Sequence, residues 1–152
     1  MIIAIGADHG GFRLKEKIKK YLKSEGYIVK DYGTHSLESC DYPQIGLEVA
    51  QAVATKKADK GLLICKTGIG QSIVANKVPG IRAAVCFNLT SARYSRQHND
   101  ANVLVLGSLF VKENLAKRIL GVWLREKFEG GRHKRRVNQI KNIEKKFLTG
   151  NR

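Results

Sequence analysis

Short runs of Ile, Val, Leu and Ala recur along this chain with a helical pattern between each run and the next, and that alternation limits the fold more than any other feature. The runs cover residues 2–6, 27–31, 61–65, 82–86 and 103–107. Strands of this length separated by helices join through right-handed crossovers into a parallel sheet with helices on both faces. The helical patterns cover residues 11–24, 42–55, 69–77, 90–97 and 112–128; in the first, Leu14, Ile18, Tyr21 and Leu22 share one face. Gly26 suits the position just past a helix end, and Pro43 suits a first turn. The expected fold is α/β: one domain over residues 1–152, a doubly wound, Rossmann-like sheet of five parallel strands with a C-terminal helix. Its simplest strand order is 2-1-3-4-5.

That topology also says where a ligand goes. Strands one and three are adjacent, and the crevice lies outside their carboxyl ends, where the winding direction reverses. Asp8 and His9 follow the first strand, and Cys65, Lys66, Thr67, Gly68, Ile69 and Gly70 follow the third. Residues far apart in the chain thereby converge.

The net charge of +15 raises the question of a nucleic-acid partner. Residues 132–152 carry eight Lys and Arg against one acid, Glu144. Val137, Ile140, Ile143 and Phe147 recur there at helical spacing, so the basic residues line the wet face of an amphipathic helix. No aromatic residues interleave with the charges to stack bases, and no specific nucleic-acid partner is expected. The stretch from Met1 to His9 has no basic leader and turns polar too soon for a signal peptide or a membrane span, so a cytoplasmic protein without a membrane partner is expected. Cys40, Cys65 and Cys86 form no C-x-x-C pair, which suits a reducing compartment. His9, His35, His98 and His133 are scattered, with no H-x-x-x-H spacing, and no metal is expected.

Cys65 stands where a buried apolar run ends and a glycine-broken turn opens a helix. An isolated cysteine at a strand end is usually a packing residue. Here the flanking Gly68 and Gly70 favour a reactive one, because N–H groups at a helix start attract anions and favour a thiolate. A cysteine-phosphatase loop requires an arginine where Gln71 stands, and the dinucleotide fingerprint breaks at Ile73. A phosphocysteine carrier and a basic nucleic-acid-binding domain stay open as readings from other classes. Two further clusters carry chemistry: His98 and Asn99 just before the fifth run, and Arg132 and Arg136, spaced to fork onto one phosphate or to line a solvated helix end.

Taken together, the residues resemble the ribose-5-phosphate isomerase B family, which includes galactose- and allose-6-phosphate isomerases. The resemblance rests on Ala7-Asp8-His9-Gly10-Gly11-Phe12, Asp41-Tyr42-Pro43, Cys65-Lys66-Thr67-Gly68-Ile69-Gly70, Ala75-Asn76-Lys77, Gly80-Ile81-Arg82-Ala83, Ser95-Arg96-Gln97-His98-Asn99 and Gly130-Gly131-Arg132-His133. It implies interconversion of ribose 5-phosphate and ribulose 5-phosphate without a cofactor, with a six-carbon sugar phosphate as the alternative substrate. It implies a homodimer, or a tetramer built from it, with active sites shared between subunits. By resemblance, Cys65 is the base that moves a proton between C1 and C2 through a cis-enediolate, and His98 is the acid that opens the sugar ring. Asn99 contacts the substrate, Asp8 and His9 hold the sugar and its phosphate end, Arg132 and Arg136 bind the phosphate, and Tyr42 forms a pocket wall. The loop of Lys66, Thr67, Gly68, Ile69 and Gly70 holds the developing oxyanion, with Thr67 assisting. Two positions depart from the family pattern: Lys66 stands where glycine is usual, and Leu109 where an arginine is common.

Overall fold

The computed structural model describes residues 1–147. Its elements alternate as the apolar runs require: β1 (Ile2–Ala7), α1 (Phe12–Ser24), β2 (Ile28–Asp31), α2 (Tyr42–Ala54), β3 (Lys60–Cys65), α3 (Ile69–Ala75), β4 (Ala83–Val85), α4 (Leu89–Gln97), β5 (Val103–Gly107), α5 (Glu113–Arg125) and α6 (Gly131–Phe147). All pairings between neighbouring strands are parallel. Gly26 takes a φ of +84° just past α1, and Pro43 sits in the first turn of α2.

Successive residues of the central strands feed two cores. Ile3 and Ile5, Leu62 and Ile64, and Leu104 and Leu106 point to a layer shared with Ile18 and Leu22 of α1 and with Ile119 and Trp123 of α5. Ala4, Leu63, Val103 and Val105 point the other way, onto Val49 and Val53 of α2 and Ala75 of α3. A strand covered on both faces reads as a continuous apolar run rather than as an alternation, which is why these segments stood out.

The strand order is β2-β1-β3-β5-β4, not the expected 2-1-3-4-5. β5 lies against β3, in register from Gly61–Val103 to Cys65–Gly107, and β4 is displaced to the edge. Burial accounts for the exchange. All five residues of β5 are buried, which demands a neighbour on each side, whereas β4 has three small or β-branched residues that are only partly covered. The reversal between β1 and β3 that defines the crevice is unaffected.

At α6 the observed helix begins at Gly131, and residues 148–152, including Arg152 of the basic segment, lie outside the described residues. Only Val137 of its apolar stripe is buried; Ile140, Ile143 and Phe147 are exposed.

Candidate active site

β1 delivers Asp8 to the carboxyl edge of the sheet, where its side chain is 7% exposed. Its Oδ1 accepts the Gly11 N–H at 3.1 Å, closing the turn into α1. His9 follows and faces solvent, and its Nδ1 accepts the backbone N–H of Cys40 at 3.2 Å. That bond leaves the proton of a neutral His9 on Nε2, so the ring offers a donor to whatever enters the crevice.

The segment that carries Cys40 is tied down from two directions. The Ala7 N–H donates to Gly33 O at 2.6 Å, and the Thr34 N–H returns a bond to Ala7 O. Beneath it, Asp31 at the end of β2 accepts the Gly33 N–H at 3.0 Å and pairs with the buried Lys15 of α1 at 2.7 Å and with Lys19 at 2.6 Å. Burial alone would raise the Asp31 carboxyl; the two ammonium groups and the Gly33 N–H outweigh it and hold the carboxyl below its usual range.

On the other side of the switch point, Cys65 closes β3 with 5% exposure. The Gly68 N–H donates to its Sγ at 3.0 Å, a bond that stabilises negative charge on sulfur. Gly68 can turn back to do so because its φ is +86°, a conformation that side-chain-bearing residues rarely adopt. The Ile69 N–H is held by Thr67 Oγ1 at 3.3 Å, and the Ser72 N–H is the first to close onto the turn, on Gly68 O at 3.1 Å. The preceding amides of the α3 start are those that no helical carbonyl can reach. Tyr42 walls this loop: a Cβ on Gly70 would lie 2.6 Å from its Cζ. The two departures from the family pattern are neighbours, since the Leu109 N–H donates to Lys66 O at 3.1 Å. Both side chains are exposed at the mouth of the crevice.

Asp8, His9, Tyr42 and the Cys65-to-Gly70 loop thus form one crevice. His98, Asn99, Arg132 and Arg136 form a second group. α4 runs back along the sheet, so His98, which caps its C-terminus, comes just before β5 begins, at the amino edge of the strands, while Cys65 is level with Gly107 at the carboxyl edge. The length of β5 separates the two levels, roughly 17 Å at about 3.3 Å per residue. The Glu129 N–H bonds to Gln97 O at 3.0 Å and brings the start of α6, with the exposed Arg132 and Arg136, up to the end of α4.

Three groups escaped the sequence reading. The Cys40 amide on His9 is a backbone contact across 31 positions, which no side-chain pattern signals. His133 and Glu129 stand beside His98, and the spacing of Glu129 to His133, one helical turn, was the available hint. Cys86, by contrast, is buried away from the crevice loop, and burial pushes its thiol up.

Residues 3–140 match the Ribose/Galactose Isomerase family. The chain belongs to that family. Ribose-5-phosphate isomerase B of Escherichia coli K12 is 52% identical over 144 residues, covering 95% of this chain and 97% of that protein. The solved structure of ribose-5-phosphate isomerase B from Clostridium thermocellum superposes with a TM-score of 0.96 at 56% identity, covering 97% of this chain and 99% of that one. A Mycoplasma genitalium ribose-5-phosphate isomerase B, solved with bound ribulose-5-phosphate, gives 0.91 at 40% identity over 95% of this chain and 96% of that one. Among the described residues, no helix of this isomerase-family chain is long and apolar enough to cross a membrane.

Proposed function

We propose that the whole chain, residues 1–152, works as one cytoplasmic isomerase domain that interconverts ribose 5-phosphate and ribulose 5-phosphate without a cofactor. The observation that carries this reading is Cys65: a buried cysteine at the switch point, its sulfur held by the Gly68 amide, opposite the buried carboxylate of Asp8. Cys65 takes the proton from C2 of the open-chain aldose and returns it to C1, while a proton passes from O2 to O1. The enediolate between these steps carries its charge at the α3 start, where the free amides and Thr67 stabilise it. Lys66, Gly68, Ile69 and Gly70 shape that loop, and Tyr42 bounds the sugar.

The remaining roles need a second copy. His98 opens the ring as a general acid, Asn99 contacts the sugar, and Arg132 and Arg136 hold the phosphate together with the Nε2–H of His9. From their level at the amino edge, these groups serve the crevice of a partner rather than their own. The exposed Ile69, Ile73, Phe87 and Phe110 support a paired surface on the carboxyl side of the sheet, and the exposed Ile140, Ile143 and Phe147 of α6 support a second one beside the amino-edge group.

A coupled assay that offers ribose 5-phosphate and allose 6-phosphate side by side tests the reading. Faster turnover of the five-carbon substrate, abolished by Cys65→Ala, is the expected result. Preference for allose 6-phosphate would move the assignment to the six-carbon branch, and activity in neither would overturn it.

A further inference from the structure

The end of α4 and the start of α6 bring His98 beside a pair, Glu129 and His133, that lies more than thirty positions further along the chain. The His98 ring is stacked between Tyr94, at 4.5 Å between centroids, and His133, at 4.2 Å. Oε2 of Glu129 lies 4.0 Å from Nε2 of His98 and 3.6 Å from Nε2 of His133. One ligand atom from each of the three residues falls within 4.8 Å of the others, the one such cluster among the described residues. His133 is 6% exposed, so the buried edge of the cluster is fixed in place.

We propose that His98, Glu129 and His133 form a zinc-binding site whose occupation switches the enzyme off. Two imidazoles and a carboxylate, with water in the fourth position, are a common donor set for this ion. Tetrahedral ligands bonded at about 2.0–2.2 Å stand about 3.4 Å from one another. The observed 3.6 and 4.0 Å from Glu129 to the two imidazoles exceed that separation by less than 1 Å. The ring planes of the two histidines are 5° from parallel, so one ion cannot lie in both. The buried His133 therefore stays as the anchor, and His98, one-third exposed, turns about χ2 out of its stack with Tyr94 to meet the ion. Arg132 and Arg136, on the same helix as His133, oppose a cation, which makes binding reversible rather than resident. A metal-bound His98 has no lone pair left for proton transfer. This consequence for turnover rests on the proposed role of His98; the binding itself does not.

The experiment titrates zinc chloride into Cys65→Ala protein by calorimetry, so that the crevice thiol cannot compete, and repeats the titration with Glu129→Gln and His133→Asn added singly. One saturable zinc per chain, weakened at least tenfold by either substitution, is expected. Cobalt(II) should give a visible tetrahedral absorption band in the Cys65→Ala protein and lose it in both variants. In protein with Cys65 intact, zinc should inhibit isomerisation, EDTA should restore it, and Glu129→Gln should need at least tenfold more zinc while its metal-free turnover is unchanged. Glu129 is exposed, so this variant reports on the site even if His133→Asn is poorly folded. Absence of saturable binding, or binding equal in the parent and Glu129→Gln, would overturn the site. Binding that depends on these residues yet leaves turnover untouched would uphold the site and count against His98 as the acid.

Discussion

The two halves of the proposed machinery differ in how they are held. The crevice at the carboxyl edge is finished within one chain: Asp8 and Cys65 are buried, and each is fixed by a backbone amide of its own turn. The group at the amino edge is more open: His98, one-third exposed, is held by ring stacking, and the exposed Arg132 and Arg136 project from the first two turns of α6. Proton abstraction from carbon requires preorganised donors in a dry site, and the first half provides them. Capture of a charged phosphate and ring opening occur as substrate arrives, and they tolerate groups that a second chain carries in.

The largest test of this contrast is the loss of either half. Cys65→Ala should reduce kcat by about a hundredfold or more with little change in substrate binding, and His98→Asn should be comparably inactive on cyclic substrate. Cys86→Ala should keep nearly full turnover; the reverse pattern in steady-state kinetics would place the base elsewhere. Mixing the two inactive proteins is the sharper measurement. Random subunit exchange makes half the dimers mixed, each with one intact site of two, so about a quarter of parental activity should return. No recovery, with exchange demonstrated by mass spectrometry, would mean that both residues act within one chain.

A smaller effect is expected at the phosphate. Arg132→Ala or Arg136→Ala should raise KM about tenfold, the equivalent of about 1.4 kcal/mol for a lost charged hydrogen bond, and leave kcat close to the parent. If neither variant moves KM, these arginines belong to a solvated helix face.

Much of this was legible in the chain because burial on both sides leaves an unmistakable run of apolar residues, as in Gly61-Leu62-Leu63-Ile64. The convergence of Asp8 with Cys65 followed from topology, which places strand ends without any knowledge of side-chain contacts. The order of the last two strands was not legible, since periodicity identifies a strand but does not choose its neighbour. On α6 the spacing of Val137, Ile140, Ile143 and Phe147 marked a helix correctly, yet it could not say that the chain itself covers only Val137. The stack of His98 on His133 joins the end of α4 directly to α6, and no local pattern encodes it.

The smallest expected effect concerns the scaffold of the finished half. Because the Asp31 carboxyl is held below its usual range when folded, its contribution to stability is present above about pH 4, the ordinary value for an unfolded chain, and is lost as pH falls through the lower folded value. Thermal melts should therefore show a falling Tm below about pH 4. Asp31→Asn should melt lower than the parent at neutral pH and show a shallower acid decline. Equal acid slopes for the two proteins would assign the acid sensitivity to other carboxylates.

The ring of Tyr42 occupies the space where a side chain at position 70 would begin, and it is partly exposed at the far end of a flexible side chain. A methyl group added at Gly70 would therefore displace the wall before it disturbed the core. Through this contact a single mutational step can alter the width of the sugar's berth while the thiol and its amide stay in place. Position 70 is therefore a place where the shape of the pocket wall can be changed without touching the chemistry.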